Sequence, residues 1–183
     1  MLGDSLDKAV QGAFTRAIPK SAPAQMRYLV KQLKGTKAVA QLLGISQRTV
    51  ERYVKDQIKR PRADLAARIE REVRQRWQPQ VRARAKQAAA TTGGIVIDTR
   101  ARFGFTAAPG STDDARIRLI TQALPPEYAA RLFEAQDAGA SEQQQLRAIA
   151  AEGLQEIYFR DRGRRAASLE VEFTDIDYID FEL

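Results

Sequence analysis

The stretch from Thr36 to Tyr53, TKAVAQLLGISQRTVERY, constrains this chain more than any other. Its residue types follow the order that two short crossing helices demand. Thr36 is suited to cap a first helix, and Ala40 is small enough to let a second helix cross close by. Gly44 stands where the backbone must turn through positive φ, a region that a Cβ disfavours. Ile45 supplies an apolar plug and Ser46 a cap for the next helix, while Val50 and Tyr53 return to the buried side at helical spacing. Gln47, Arg48, Glu51 and Arg52 are left facing outward. This is the register of a helix-turn-helix over residues 36–57, whose second helix is expected to enter a DNA major groove. An ordinary helical hairpin shares the turn but not the full set of small, glycine, cap and apolar positions.

Charge is placed unevenly around that motif. Residues 1–90 hold 20 Lys and Arg against 7 Asp and Glu, while residues 91–183 hold 10 against 16. A basic half joined to an acidic half suits a chain in which one part holds a polyanion. Ala63 to Trp77 reads as a helix with the apolar stripe Leu65, Ile69, Val73 and Trp77, and Arg68, Arg71, Arg74 and Arg76 lie opposite. Beyond Pro79, Arg82, Arg84 and Lys86 extend the basic run. The expected DNA-binding set is Gln47, Arg48, Glu51, Arg52 and Lys55 on the motif, with Arg68, Arg71, Arg74, Arg82 and Arg84 tracking phosphates. A solvated face paired to Glu70 and Glu72 is the competing use of these arginines. Glu51 has Lys55 in reach at i, i+4.

The chain lacks His and Cys altogether. That removes imidazole acid–base chemistry, thiolate zinc sites and disulfides, and argues against a stand-alone hydrolase. Asp98, Asp113 and Asp114 are scattered carboxylates without metal-binding spacing, so no metal or cofactor of its own is expected. No apolar run approaches the roughly 18 residues of a membrane span, and the opening MLGDSLDKAVQ has no signal-peptide core. A cytoplasmic chain without membrane contact is expected.

The remaining texture divides the chain. A short amphipathic segment, Leu6 to Phe14, precedes a helix from Ala24 to Lys34. Thr91-Thr92-Gly93-Gly94 marks an expected boundary, which gives a basic helical domain over residues 1–90 and a small α+β domain over 91–183. In the second half, Ile95–Val96–Ile97 and Arg100–Phe105 read as strand, Ala107–Asp114 as a loop, and Arg116–Ile120 as a further strand. Pro125–Gln136 and a segment from Ser141 to about Phe159 read as helices, the latter with Leu146, Ile149 and Leu154 facing inward. Tyr128 and Tyr158 are expected to fill the apolar faces of these helices. The tail from Leu169 alternates Val171, Phe173, Ile176, Tyr178 and Phe181 with acidic residues, as one or two strands would. Its six carboxylates suit either a basic partner or a sheet edge kept apart by charge.

Two stretches, MRYLVKQLKGTKAVAQLLGISQRTVERYVKDQI and AATTGGIVIDTRARFGFTAAPGSTDDARIR, resemble the telomere-protecting terminal proteins (Tpg) of actinobacterial linear chromosomes and plasmids. The likeness extends through SEQQQLRAIAAEGLQEIYF and the acidic tail. The helix-turn-helix is shared by many regulators, whereas TTGGIVIDTRARFGFTAAPG is not called for by regulator architecture. The resemblance implies a protein that binds telomeric DNA, becomes covalently attached to 5′ ends and primes the synthesis that fills recessed telomeres. It implies two protein partners, a DNA polymerase and a telomere-associated DNA-binding protein, and a place at chromosome ends in the nucleoid. The divalent metal and the deoxynucleotide, a cytidylate by family habit, would be supplied in the polymerase site. The family's priming residue is a threonine, and Thr112 in GSTDDAR matches that position, with Ser111 and Thr106 as neighbouring alternatives.

The residues alone leave Thr112 open. Pro109 and Gly110 suit an exposed turn, yet Ser or Thr followed by Asp113 and Asp114 is equally a helix cap. A helix-turn-helix transcriptional regulator, with residues 95–183 as a dimerisation or effector domain, is the competing function. It expects a ligand cavity and a palindromic operator.

Overall fold

The computed structural model describes residues 2–106, 116–139, 142–162 and 170–183. In chain order the elements are α1 (Leu2–Gln11), α2 (Ala22–Gln32), α3 (Thr36–Leu43), α4 (Gln47–Val54), α5 (Ala63–Arg76), α6 (Pro79–Ala88), β1 (Ile95–Thr106), β2 (Arg116–Leu124), α7 (Pro126–Ala138), α8 (Glu142–Leu154) and β3 (Glu170–Glu182). The class is mixed, with a helical N-terminal region and a small antiparallel sheet among helices in the C-terminal one.

Two compact units result, and they differ from the expected division at residue 90. One is residues 15–79; the other joins residues 1–14 to 80–183. The cause lies in α1, which buries Leu2, Leu6 and Val10 completely in the core that also holds Ile97, Phe103 and Leu146. Polar contacts close the same join. Ser5 Oγ and Lys8 Nζ reach Asp180 at 3.1 and 3.2 Å, and Arg82 pairs with Asp7 at 2.6 Å. Nor is Thr91–Gly94 a linker. α6 runs on through a π-helical segment, Ala89–Gly93, and Gly94 turns directly into β1 at φ 73°. A Cβ at Gly94 would run into the Leu124 carbonyl, so glycine is required there.

The 15–79 unit packs four helices, α2 to α5, around Met26, Leu29, Val39, Leu43, Val50, Tyr53, Ile69 and Val73, all at most 3% exposed. Leu65 and Trp77 extend the stripe on α5 as its spacing predicts. The Trp77 indole N–H donates to the Arg16 carbonyl at 2.9 Å, and its ring lies 4.6 Å from that of Tyr28, centroid to centroid. The Tyr28 hydroxyl donates to the Arg76 carbonyl, and burial pushes its pKa up against the lesser pull of the Arg76 charge.

In the other unit the strand order is β2-β1-β3, all antiparallel. β1 presents Ile95, Ile97, Thr99, Ala101 and Phe103 to the core, with Ile120 and Leu124 from β2. The acidic tail is one strand and forms a sheet edge. Strict alternation from Val171 and Phe173 would put Asp175 and Asp177 inside and Ile176 outside, but two bulges intervene. Phe103 pairs with Phe173 and Arg102 with Asp175, then Ala101 with Ile176 and Arg100 with Tyr178, so Thr174 and Asp177 are supernumerary. Ile176, Ile179 and Phe181 therefore share the inner side with Val171 and Phe173, while Tyr178 faces out. Buried Thr99 donates its hydroxyl to the Tyr178 carbonyl at 2.8 Å beside the second bulge.

Tyr128 is buried as expected, but Tyr158 is 43% exposed. α8 passes into a π-helical segment, Gln155–Phe159. The wider turn rotates the following side chains, and Phe159 takes the inner place instead, edge-on to Phe103 at 5.4 Å. Among the described residues no helix is long and apolar enough to cross a membrane.

Candidate nucleic-acid interface

Residues 15–79 hold 16 of the 30 Lys and Arg against 5 Asp and Glu, so the positive charge is more concentrated in this unit than the half-chain count implies. α3 and α4 are joined by Gly44, Ile45 and Ser46. Gly44 is left-handed at φ 63° and ψ 39°, and its N–H reaches back to α3 carbonyls. Ser46 is extended and its Oγ accepts from the Thr49 N–H at 3.2 Å, which caps α4. Val50 and Tyr53 are buried beneath, and burial pushes the Tyr53 pKa up.

Thr36 departs from its expected role. Gly35 occupies the cap position of α3 without a side-chain bond, and the Thr36 hydroxyl accepts from Gln47 Nε2 at 3.1 Å. The same amide donates to Glu51 Oε1 at 3.0 Å, so Glu51 is engaged by Gln47 where Lys55 was expected. Gln47 thus ties the starts of α3 and α4 and steadies Glu51. Arg48, Arg52 and Lys55 are exposed along α4, and among the described residues no ion pair engages Arg48 or Arg52.

The remaining arginines separate by what they touch. Arg68 is structural: its Nη1 donates to the Leu43 carbonyl at 2.7 Å, directly before the Gly44 turn, and its Nη2 pairs with Asp64 at 3.3 Å. Arg74 pairs with Glu70 along α5, and Arg71 lies 3.7 Å from Glu72; both arginines keep more than half of the side chain in solvent. Arg82 and Arg84 lie in the other compact unit. Arg82 is only 14% exposed and held by Asp7, so its charge is already answered, while Arg84 is exposed.

One residue of this architecture escaped the sequence reading. Arg27, on α2, donates to the Val54 carbonyl at 3.2 Å and pairs with Asp56 at 2.7 Å, Asp56 itself being left-handed at φ 59°. It braces the C-terminal end of α4 as Arg68 braces the turn before it. A non-glycine residue forced through positive φ after Lys55 leaves no compositional mark.

Thr112 and Ser111, with Asp113 and Asp114, lie outside the described residues, in the 107–115 connection from β1 to β2. Thr106 is the last residue of β1, where its backbone pairs with Glu170. No known protein family, characterised protein or solved structure matches this chain.

Proposed function

We propose that this chain is a terminal protein. In this reading it binds telomeric DNA through a helix-turn-helix formed by α3 and α4, offers a hydroxyl from which a DNA polymerase starts synthesis, and stays covalently on the 5′ end of a linear replicon. The observation that carries the DNA-binding half is the outward face of α4. Arg48 and Arg52 stand one turn apart, exposed and outside any ion pair among the described residues, on a helix braced at both ends. The spacing suits arginine forks directed at base edges or flanking phosphates.

The priming half rests on the likeness of TTGGIVIDTRARFGFTAAPG and GSTDDAR to the terminal proteins. Thr112 Oγ attacks the α-phosphorus of the first deoxynucleoside triphosphate. The oxygen–phosphorus bond forms, the bond to the bridging oxygen of pyrophosphate breaks, and the hydroxyl proton passes to a base in the polymerase site. A polymerase brings the two divalent metals that activate the hydroxyl and steady the in-line transition state. The terminal protein must then contribute reach, not acid–base groups, which accords with a chain that has neither His nor Cys.

Two measurements test the halves separately. The Arg48→Ala, Arg52→Ala variant is expected to lose at least about tenfold in duplex affinity, roughly 1.4 kcal/mol, with helix content intact. Unchanged affinity at moderate salt would take α4 out of the interface. For priming, transfer of a radiolabelled deoxynucleotide to the protein is followed with polymerase, telomeric partner and divalent metal supplied. Thr112→Ala is expected to abolish labelling and leave duplex binding alone, and Thr112→Ser to keep part of it. Labelling that survives joint removal of Thr112, Ser111 and Thr106 defeats the assignment. Tight binding to a palindromic duplex with no labelling at all points to the transcriptional regulator instead.

A further inference from the structure

The two edges of the sheet are built differently. Along β3, outer backbone groups are engaged by side chains: the Val171 N–H donates to Gln155 Oε1 at 2.7 Å, and the Phe181 N–H to Ser5 Oγ at 3.1 Å. Six carboxylates between Glu170 and Glu182 add like-charge repulsion against any second β3. β2 is less protected: one carbonyl, that of Ala123, accepts from Gln122 Nε2 at 2.9 Å, and the strand has no carboxylate. Its nine residues, RIRLITQAL, contain no Asp, Glu, Pro or Gly, and among the described residues no strand occupies its second edge. On the side of the sheet away from the core, Leu119 is 68% exposed and Ile117 51%, the highest values for large apolar side chains among the described residues. An edge that no described strand covers, with apolar flanks and with Arg116 and Arg118 as its only charges, is a template for another strand.

We propose that β2 pairs antiparallel with β2 of a second copy of this chain, across a two-fold axis at Leu119, so that two three-stranded sheets become one of six strands. Side-chain chemistry selects both the occupant and the register. With the two Leu119 residues opposite each other, Ile117 falls opposite Thr121 and Arg118 opposite Ile120, so apolar or β-branched groups meet and no charge faces its like. Centring the pair on Arg118 instead would oppose two arginines. Centring it on Ile120 would set the most exposed leucine beside a threonine. The shared edge is short beside the roughly 1,600 Å² of a standard interface, so the association is concentration-dependent.

The absence of cysteine lets one introduced thiol report one position. Full-length Leu119→Cys, freed of nucleic acid and mildly oxidised at high protein concentration, is expected to become a covalent dimer, because directly opposed residues have Cβ atoms only about 4.5–5.5 Å apart. Ala123→Cys, whose two copies would sit four residues to either side of the axis and far from each other, is expected to stay single. Sedimentation of the wild type across a dilution series is expected to show monomer–dimer exchange that Leu119→Lys abolishes, with an unchanged circular dichroism spectrum because the side chain is exposed. A wild type that is monomeric at every concentration overturns the proposal. So does a dimer that survives Leu119→Lys, or cross-linking as efficient at position 123 as at 119.

Discussion

Arginines that look equivalent in the sequence divide sharply by what their forks reach. Arg68 and Arg74 both read as phosphate contacts on one helix, yet Arg68 holds the Leu43 carbonyl and Arg74 only an exposed neighbour. Arg68→Ala leaves a helix-terminal carbonyl without its charged donor and is expected to cost about 1.5 kcal/mol of stability in denaturant unfolding. Arg74→Ala is expected to cost about 0.5 kcal/mol or less, since exposed pairs contribute little. DNA binding should separate them in the opposite sense. Removing a phosphate contact lowers the log–log salt slope by about one unit, so Arg74→Ala is expected to flatten the slope, while Arg68→Ala weakens binding through the turn and leaves the slope unchanged. The reversed pattern in a salt titration would exchange the two roles. A single methyl group is decisive at Gly94, where both positive φ and the Leu124 carbonyl oppose it; Gly94→Ala is expected to destabilise by roughly 2 kcal/mol or more.

At the scale of elements, periodicity made much of the fold legible. The spacing of Leu65, Ile69 and Val73, and of Leu146, Ile149 and Leu154, marks faces that are buried or nearly so in the structure. The turn at Gly44 and Ser46 was legible because each residue answers a single backbone demand. What stayed hidden was whatever broke a period without changing composition: the π-helical segment that turns Tyr158 outward, and the bulges that bring Ile176 to the inner side while Asp175 and Asp177 stay out. The bulges yield a test that runs against intuition. Deleting Asp177 removes a residue that has no register partner on β1, only an exposed ion pair with Arg100, and keeps every later side chain on its side, so it is expected to cost under about 1.5 kcal/mol. Deleting Ile176 instead draws Asp177 into an inward position and is expected to unfold the unit. Equal thermal melts of the two deletions would disprove the bulge assignment.

For the whole molecule, charge and connectivity are the useful quantities. The basic count of the first half was legible, but its boundary was not, because the binding of α1 to β3 is a pairing of chain regions that no local window contains. Removing residues 2–11 is expected to destabilise the sheet-containing unit by several kcal/mol, since Leu2, Leu6 and Val10 are fully buried and each contributes about 1.5–3 kcal/mol. Within that unit, Arg131 and Glu152 form a two-pronged pair at 2.7 and 2.6 Å, and the hydrogen bond from Arg131 holds the Glu152 carboxyl below the usual carboxylate range. A lowered folded-state pKa gives stability that is present at neutral pH and lost as pH falls through that value. Glu152→Gln is therefore expected to cost about 0.5 kcal/mol near pH 7 and nothing in strong acid, the pair being half exposed. A cost that grows with acidification would reverse the sign.

The Lys8–Asp180 contact also sets an order of events during synthesis. A ribosome releases α1 first, with its apolar side unanswered, then the whole of residues 15–79, which carry their own core and can fold as they emerge. α1 waits until the final strand has left the exit tunnel, a separation of 172 residues between two partners in one ion pair. Closing so long a loop before any reward from contact makes this the slow, late step of folding. Every chain interrupted before β3 would carry a finished helical unit and an open sheet that it could not complete.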